Sequence, residues 1–161
     1  MRTPNLKQVS IVDVEFGENV TVVHPVNLYG CTIGDEVFIG PFVEIQKELT
    51  IGALTRIQSH TFVCQLVTVG EDCFIGHGVM FINDAFSAGG PARGRKDLWS
   101  PTTIGDRVSI GSNATLLPVS ICNDVVIGAG SVVTRDITQP GIYVGNPAHY
   151  LRKVEMVSAP S

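Results

Sequence analysis

The sequence predicts an all-β fold in which short strands coil into a parallel solenoid, and three observations support this prediction. Aliphatic residues recur every six positions, glycine often follows them, and charged residues are scarce. Charged residues make up 16% of the 161 residues, whereas soluble domains usually have about 25%. Glycine fills 17 positions, clearly above its usual share of about 7%. These proportions suit a long apolar core bounded by many tight corners.

The six-residue repeat is the strongest of these signals. It runs unbroken from Ile33 to Phe81 and returns at Ile104, with one five-residue step between Leu116 and Ile121. Neither a helix nor an alternating strand has a period of six. A short strand followed by a bend has this period, and three such units make one coil. The first positions of the repeat are Ile33, Ile39, Ile45, Ile51, Ile57, Val63, Val69, Ile75, Phe81, Ile104, Ile110, Leu116, Ile121, Ile127 and Val133.

Two further positions of the repeat support the same fold. The second position is glycine in eight repeats, where we expect it to supply the backbone angles of a tight corner. The fifth position is mostly small or β-branched, and we expect it to point inwards with the first. Coils should then stack at the normal strand spacing of about 4.8 Å. The fifth positions are Val37, Val43, Leu49, Thr55, Thr61, Val67, Cys73, Val79, Val108, Ala114, Val125 and Ser131.

Composition excludes several classes of protein. No run of about 20 apolar residues indicates a membrane span, and the first residues lack an apolar signal-peptide core. We therefore expect a cytoplasmic protein. The net charge of −4 and the lack of basic clusters argue against a nucleic-acid partner. Cys31, Cys64, Cys73 and Cys122 contain no Cys-x-x-Cys pair, so we expect buried thiols and no metal site.

The repeat also sets the boundaries. The chain is predicted to form one domain over residues 1–161, with a β-helix over about 15–137 and a tail over 138–161. Residues 84–103 interrupt the repeat with a 20-residue loop that holds Arg93, Arg95, Lys96 and the single tryptophan, Trp99. Loops this long inside a domain are usually functional or disordered, and a basic arm suits anionic phosphates. A plain solvated loop is the alternative. Residues 150–156 are expected to form a short capping helix.

Polar side chains near this loop suggest a site. His60 and His77 are 17 residues apart, one less than a full coil of three repeats. They should therefore lie near one another at the same corner of adjacent coils. Asn83 stands where the loop leaves the next corner. Histidine is the natural general base near neutral pH, although a lone histidine on a corner is often only a surface residue.

The repeat over roughly residues 20–137 resembles the hexapeptide-repeat acyltransferases, whose fold is a left-handed parallel β-helix. Handedness comes from this resemblance and not from the period. The segments from Ile127 to Asp136 and from Val144 to Ala148 resemble the end of the helix in members that use acetyl-CoA. The segments from Asn27 to Gly30, from Gly40 to Lys47 and from Phe81 to Asp84 are similar to the branch that N-acetylates nucleotide-linked 3-amino sugars.

The resemblance implies an N-acetyltransferase that uses acetyl-CoA on a nucleotide-linked amino sugar. The amine would attack the thioester directly, without a metal, in a homotrimer whose active sites lie between subunits. Asn83 is the leading site residue by this resemblance, and His77 or His60 is the candidate base; His24 and His149 are weaker candidates. Asp84, Glu44 and Gln58 are expected near the substrate. The cofactor contacts are expected from Gly111, Ser112, Ala129, Gly130, Arg135, Arg95, Lys96 and Asn146.

Three other functions are considered. An O-acetyltransferase would share the repeat and the tail, but a hydroxyl acceptor needs a base more than an amine does. A γ-type carbonic anhydrase would need three zinc-binding histidines, yet the position five residues after His77 is Ile82. A non-catalytic solenoid would have no polar cluster and a featureless loop. Asn83, His77 and the basic loop argue against the non-catalytic solenoid.

Overall fold

The computed structural model describes residues 10–154, which form a parallel β-helix. One short 3₁₀ turn, Lys96–Leu98, lies in the long loop. The predicted all-β solenoid is therefore confirmed. The strands are β1 Ile11–Val12, β2 Glu15–Phe16, β3 Thr21–Val22, β4 Asn27–Tyr29, β5 Thr32–Ile33, β6 Phe38–Ile39, β7 Glu44–Ile45, β8 Thr50–Ile51, β9 Arg56–Ile57, β10 Phe62–Val63, β11 Val67–Val69, β12 Phe74–Ile75, β13 Met80–Phe81, β14 Thr102–Ile104, β15 Ser109–Ile110, β16 Thr115–Leu116, β17 Ser120–Ile121, β18 Val125–Ile127, β19 Val132–Val133, β20 Gly141–Val144 and β21 His149–Arg152.

Every third strand pairs with its neighbour in the next coil, so three sheets form the faces of a prism. Sheet A has the order β1-β4-β7-β10-β13-β16-β19, and sheet B has the order β17-β14-β11-β8-β5-β2. Sheet C has the order β21-β20-β18-β15-β12-β9-β6-β3. The pairing of Ile33 with Ile51 spans 18 residues, as the repeat predicts. This arrangement is consistent with the left-handed coil that the resemblance implies.

The core occupies the inside of the prism. All first and fifth positions of the repeat are buried, from Ile39 at 0% exposure to Leu49 at 6%. Buried polar members make hydrogen bonds; the Thr55 hydroxyl, for example, donates to the Gly70 carbonyl at 3.0 Å. All four cysteines are free, and three of them are buried. The predicted inward positions are confirmed because stacked coils leave no other place for these side chains.

The role predicted for the second-position glycines is wrong. None of the eight has a positive φ. Instead, a Cβ on Gly52 would lie 2.5 Å from the backbone of Gly70 in the next coil. The left-handed backbone conformation occurs instead at the fourth position of the repeat. Residues other than glycine also adopt it there; Leu54, for example, has a φ of 61°. Glycine at the second position therefore allows neighbouring coils to approach closely. The positive φ of the corner belongs to the residue two positions later.

The helix is longer at both ends than the sequence predicted. Among the described residues, the first strand of the β-helix begins at Ile11. In the tail, β20 joins sheet C in parallel with β18, and β21 then pairs antiparallel with β20. The predicted helix over 150–156 is wrong, because Tyr150 to Arg152 pair with β20; residues 155 and 156 lie outside the described residues. The open edge of β18 supplies backbone hydrogen-bond partners that favour a strand. Over residues 10–154, no helix is long and apolar enough to cross a membrane.

Candidate active site on sheet A and its two edges

The predicted site residues are distributed over one face of the prism. We name the turns that lead from sheet C to sheet A the C–A edge (residues 23–26, 40–43, 58–61, 76–79, 111–114 and 128–131). The turn 145–148 joins β20 to β21 within sheet C and lies beside the last coil of this edge, where Ala148 N donates to the Val132 carbonyl. The turns that lead from sheet A to sheet B form the A–B edge (residues 46–49, 64–66, 82–101, 117–119 and 134–136). Asn146 lies in the turn between β20 and β21, and His149 lies in β21 of sheet C. The other predicted site residues lie on one of these edges or on sheet A between them. Sheet A is thus the face on which a site can form.

The two histidines share a corner of the C–A edge, as predicted. Backbone hydrogen bonds run from Gly78 N to the Ser59 carbonyl and so join the two turns. The rings make different contacts, however. His77 Nδ1 lies 2.9 Å from the Ser59 hydroxyl, whereas the His60 ring stacks on Phe42 with 4.8 Å between centroids. Ser59 precedes His77 by one full coil and was not among the predicted site residues.

The predicted cofactor residues Gly111, Ser112, Ala129 and Gly130 continue the same edge beyond His77. The Gly130 N–H donates to the Ser112 carbonyl at 2.9 Å, and the space beside Gly130 is open. Asn146 lies in the exposed turn after β20, at the end of the edge. The structure therefore brings these residues into one line with His77. Gln58, also on this edge, is half-buried.

Asn83 stands at the base of the loop on the A–B edge. Its side-chain Nδ2 donates a hydrogen bond to the backbone carbonyl of Gln65 at 3.2 Å. The backbone carbonyl of Asn83 accepts a hydrogen bond from Ser100 N at 2.9 Å. The line of hydrogen bonds continues from Gln65 N to Gln46 Oε1 and from Gln46 Nε2 to Glu44 Oε1. Asn83 and Glu44 therefore belong to one polar line across three successive coils. Gln65 was not predicted as a site residue.

Asp84 organises the loop. One of its oxygens accepts from Phe86 N at 3.0 Å and the other from Ala92 N at 2.6 Å. Such bonds from a short carboxylate to backbone N–H groups are typical of tight loop starts. The structure thus gives Asp84 a loop-forming role, and its contact with substrate stays a prediction.

The loop cations that were expected to face phosphates are paired with carboxylates. Lys96 Nζ lies 2.8 Å from Glu48 Oε1, and Arg95 lies 2.7 Å from Asp97. The hydrogen bond from Lys96 lowers the pKa of Glu48. The first pair joins the loop to the turn after β7, two coils earlier. Arg135 is exposed on the A–B edge, two coils beyond Asn83.

A cavity of about 350 Å³ opens beneath the loop. Phe62, Phe86 and Trp99 supply aromatic walls, and Asn83 supplies an amide. Cys64 also lines the cavity, but burial raises the pKa of its thiol to about 12. A thiol that stays protonated at neutral pH is a poor nucleophile. The cavity therefore suits binding of a small ligand and not covalent chemistry on Cys64.

The two edges do not meet within one chain. His77 and Asn83 are six positions apart on opposite sides of β13, so at most about 20 Å of backbone separates them. The sequence predicts a polar cluster on successive corners of the prism. His77 and Asn83 do lie on successive corners, but these corners are on opposite borders of sheet A. Within one chain, His77 and Asn83 therefore lie on different edges of sheet A.

A groove of about 950 Å³, which the sequence did not predict, lies on sheet C. Leu54 and Phe74 line it, and Pro140 of the tail forms a wall. Arg107 spans two coils to Asp124 at 2.7 Å, and this contact lowers the pKa of the Asp124 carboxyl. Over residues 10–154, no group of three His, Cys, Asp or Glu side chains is arranged to hold a metal.

Comparison with known proteins agrees with the repeat and the coil. A family model described as the hexapeptide repeat of succinyl-transferase matches residues 101–135. The bifunctional protein GlmU of Acinetobacter baumannii is 36% identical over 114 residues, which cover 70% of this chain and 22% of GlmU. GlmU of Fervidobacterium nodosum is 32% identical over 89% of this chain and 33% of its own length. The chain spans about a fifth to a third of the length of these curated relatives.

Solved structures show the same fold. A variant of AntD, an N-acyltransferase from Bacillus cereus in complex with dTDP and coenzyme A, has a TM-score of 0.77 and 23% identity; 88% of this chain and 84% of that chain are covered. A variant of perosamine N-acetyltransferase from Caulobacter crescentus, in complex with CoA and GDP-perosamine, has a TM-score of 0.64 and 22% identity, with 88% and 56% covered. The chain therefore carries the hexapeptide repeat over residues 101–135 and shares the coiled β fold of these solved structures.

Proposed function

We propose that this protein is an acetyl-CoA-dependent N-acetyltransferase that acts on the amino group of a nucleotide-linked amino sugar. The observation that carries the proposal is Asn83, whose amide stands between the polar line of the A–B edge and the aromatic cavity under the loop. The structural neighbours support it, because the AntD variant is bound to dTDP and coenzyme A and the perosamine enzyme to CoA and GDP-perosamine.

The proposed reaction is a direct transfer. The lone pair of the neutral amine attacks the carbonyl carbon of the thioester, a C–N bond forms and the C–S bond breaks. Asn83 Nδ2 already donates to the Gln65 carbonyl, which leaves Oδ1 to accept a hydrogen bond from the amine. Holding the amine in this way lowers the barrier mainly by orientation. The surplus proton of the attacking nitrogen leaves to His77 or to water.

His77 is better suited to accept this proton than His60. When Nδ1 of the neutral ring donates to the Ser59 hydroxyl, the lone pair remains on Nε2. The His60 ring instead packs flat against Phe42. We therefore propose Asn83 as the residue that positions the amine, His77 as an auxiliary base and His60 as a packing residue of the same edge.

The distance between the two edges supports a site shared between subunits. His77 and Asn83 lie on opposite edges of sheet A, up to about 20 Å apart. Both would serve one substrate where the C–A edge of one copy faces the A–B edge of the next. We propose a homotrimer of this kind. The outward residues of sheet A include Phe62 and Met80, whereas sheet B presents the exposed hydroxyls of Thr32, Thr50, Thr68, Thr103 and Ser120.

The pantetheine arm of acetyl-CoA would then lie along the C–A edge, beside Gly111, Ser112, Ala129 and Gly130, with Asn146 at its end. The open space at Gly130 permits close approach to its backbone. Among the predicted phosphate contacts, Arg135 is exposed, whereas Lys96 and Arg95 contact carboxylates. We therefore propose Arg135 as the principal phosphate contact. Asp84, Glu44 and Gln58 remain proposed contacts to the acceptor.

Thiol release from acetyl-CoA tests the proposal. UDP- and dTDP-linked 3-amino and 4-amino sugars form the panel, and calorimetry measures the binding of CoA. At least one amino sugar should release thiol, and Asn83→Ala should lower kcat/KM about a hundredfold, while the surface variant Thr68→Ala should not. Absence of both thiol release and CoA binding would show that the protein is not an acetyltransferase.

An O-acetyltransferase is the second candidate, and the Ser59–His77 contact is the observation that favours it. A hydroxyl acceptor depends strongly on a positioned base, whose removal typically costs 10²- to 10⁴-fold. An amine that binds in its neutral form depends on one much less. A loss of that size in His77→Ala, with little effect of Asn83→Ala, would favour the hydroxyl acceptor.

A further inference from the structure

Gln46 brings a second amide, besides that of Asn83, to the cavity under the loop. The register of sheet A places Gln46 one coil before Cys64, which in turn precedes Ile82 by one coil. All three residues line the cavity. The short side chain of Cys64 leaves room between Gln46 and the loop. Gln46 is half-buried, so it keeps accessible surface beside this space.

The amide of Gln46 is held in a fixed orientation. Its Nε2 donates to Glu44 Oε1 at 3.2 Å, and its Oε1 accepts from Gln65 N at 3.3 Å. Burial raises the pKa of Tyr29, and a hydrogen bond with the Gln46 side chain opposes this shift. A side-chain amide can make four hydrogen bonds, two as donor and two as acceptor. These three partners therefore leave one of the four for a ligand.

Gln46 and Asn83 are directed towards the same place. They belong to coils on either side of the one that carries Gln65. The Asn83 side chain lies 3.2 Å from the Gln65 carbonyl, and the Gln46 side chain lies 3.3 Å from Gln65 N. Because both amides contact the backbone of one residue, a single sugar ring in the cavity can reach both of them.

The charge of the cavity wall selects the kind of ligand. Among the described residues that line it, Asp84 supplies a carboxylate, and none is a lysine or an arginine. A phosphate here would meet a like charge without a compensating cation, whereas a neutral or cationic group would not. We therefore expect the amino sugar, and not the diphosphate, to occupy the cavity.

We propose that Gln46 is a specificity-determining residue for the acceptor sugar. Its side-chain amide makes a hydrogen bond with one hydroxyl of the sugar ring while Asn83 holds the amino group. Phe62 and Trp99 pack against the apolar C–H face of the ring, since aromatic walls with a few fixed polar groups are typical of ligand pockets. This inference rests on the proposed function and adds a second point of contact that fixes the orientation of the sugar.

Deoxy analogues test the inference, because each removes one hydroxyl. The amino sugar with the highest kcat/KM is compared with its monodeoxy analogues, all nucleotide-linked, in the wild type and in Gln46→Met. Methionine keeps the length of the side chain and removes its hydrogen-bonding groups. In the wild type, loss of one particular hydroxyl should lower kcat/KM at least tenfold, because the amide is then left unpaired. In Gln46→Met the same loss should change kcat/KM less than twofold.

This comparison separates substrate contact from a structural role. Gln46→Met also loses the hydrogen bond from Gln65 N, but any resulting loss of activity falls equally on the sugar and its analogue. If Gln46→Met does not fold, Gln46→Asn keeps the amide on a shorter side chain and should lose the discrimination in the same way. Gln139→Met, on the sheet C groove, is the matched control and should discriminate like the wild type. Undiminished discrimination by the folded Gln46 variant against every analogue would overturn the inference.

Binding can be measured apart from turnover with Trp99, the single tryptophan, which lines the cavity. The sugars and their analogues are titrated without acetyl-CoA while the emission of Trp99 is recorded. If Gln46→Met loses the discrimination in Kd, the inference is supported even when no thiol is released, and only the proposed reaction fails. Thiol release with the discrimination intact leaves the proposed function standing and overturns the inference.

The nucleotide without its sugar provides the last check. UDP and dTDP alone should leave the emission of Trp99 unchanged, because the cavity wall has no cation for their phosphates. A change as large as that caused by the amino sugar would mean that the nucleotide occupies the cavity, and the inference would be wrong. It is also wrong if no sugar changes the emission.

Discussion

The hydroxyl of Ser59 lies 2.9 Å from Nδ1 of His77, one coil further along the C–A edge. The turns that carry them are joined by the hydrogen bond from Gly78 N to the Ser59 carbonyl, and Asn113 N donates to the His77 carbonyl from the following coil. The backbone of His77 is therefore held from both sides while its ring remains exposed. This contact orients the ring and makes His77 differ from His60.

Replacement of these residues should separate their roles. On an amino-sugar acceptor we expect His77→Ala to lower kcat only about tenfold at neutral pH. The loss is small because Asn83 still positions the amine, and an amine that binds in its neutral form can attack without a base. Ser59→Ala should give a smaller loss in the same direction, since the ring is then free to turn. His60→Ala is the matched control and should stay within twofold. Steady-state kinetics from pH 6 to 9 measure all three, and equal losses in His60→Ala and His77→Ala would contradict the assignment.

Replacement of a second-position glycine should destabilise the coil without any effect of φ. A Cβ in Gly52→Ala would meet the Gly70 backbone at 2.5 Å, and neither backbone can move without shifting a coil. Overpacking of this kind typically costs about 1–3 kcal/mol. In Gly90→Ala, where nothing lies within 4 Å, the free energy of unfolding should change by less than about 0.5 kcal/mol. Denaturant titration compares the two, and equal stabilities would show that the coils can separate.

The contact between Lys96 and Glu48 should hold the loop closed. Glu48→Gln removes the charge and should make residues 85–99 exchange amide hydrogens faster and be cleaved sooner by trypsin at Arg93 and Arg95. The global melting temperature should hardly change, because exposed ion pairs contribute little. Lys47→Gln is the control, since Lys47 lies 4.0 Å from the same carboxylate. Equal protection of the loop in wild type and Glu48→Gln would contradict this role.

The same contact should depend on pH in a defined direction. Lys96 lowers the pKa of Glu48 in the folded protein, so the stabilisation is complete above the unfolded pKa and is lost as pH falls through the folded one. The loop of the wild type should therefore become more protease-sensitive only in acid, below about pH 4.5. An acid-stable protease such as pepsin reports it, and Glu48→Gln should show no such transition.

The thiols should differ in reactivity. Burial raises the pKa of the Cys31 thiol to about 11 and that of Cys64 to about 12, so neither is ionised near neutral pH. Cys122 is only partly buried. In the native protein at pH 8 we expect iodoacetamide to modify Cys122 first and the other thiols only after unfolding, as seen by mass spectrometry. Rapid modification of native Cys64 would show that the cavity opens more than this structure indicates.

Much of the fold follows from the sequence, because the repeat is a local rule. A first position such as Ile39 and a fifth position such as Val43 are apolar in almost every coil, and only a solenoid buries both. Asn83 and the loop were likewise visible as a break in the period. The strand Gly141–Val144 in the tail could not be predicted in this way. It has no repeat of its own, and it forms because the edge of β18 is free to pair with it.

The sequence by itself determined the solenoid, its inward positions and the corner that His60 and His77 share, since a period of six fixes which residues stack. Only the tertiary structure decided what each side chain contacts. It paired His77 with Ser59, closed the loop through Asp84 and Lys96, and buried Gln65 with an unpaired donor. These contacts join different coils or the loop to a coil, and they depend on side-chain directions that spacing along the chain does not specify.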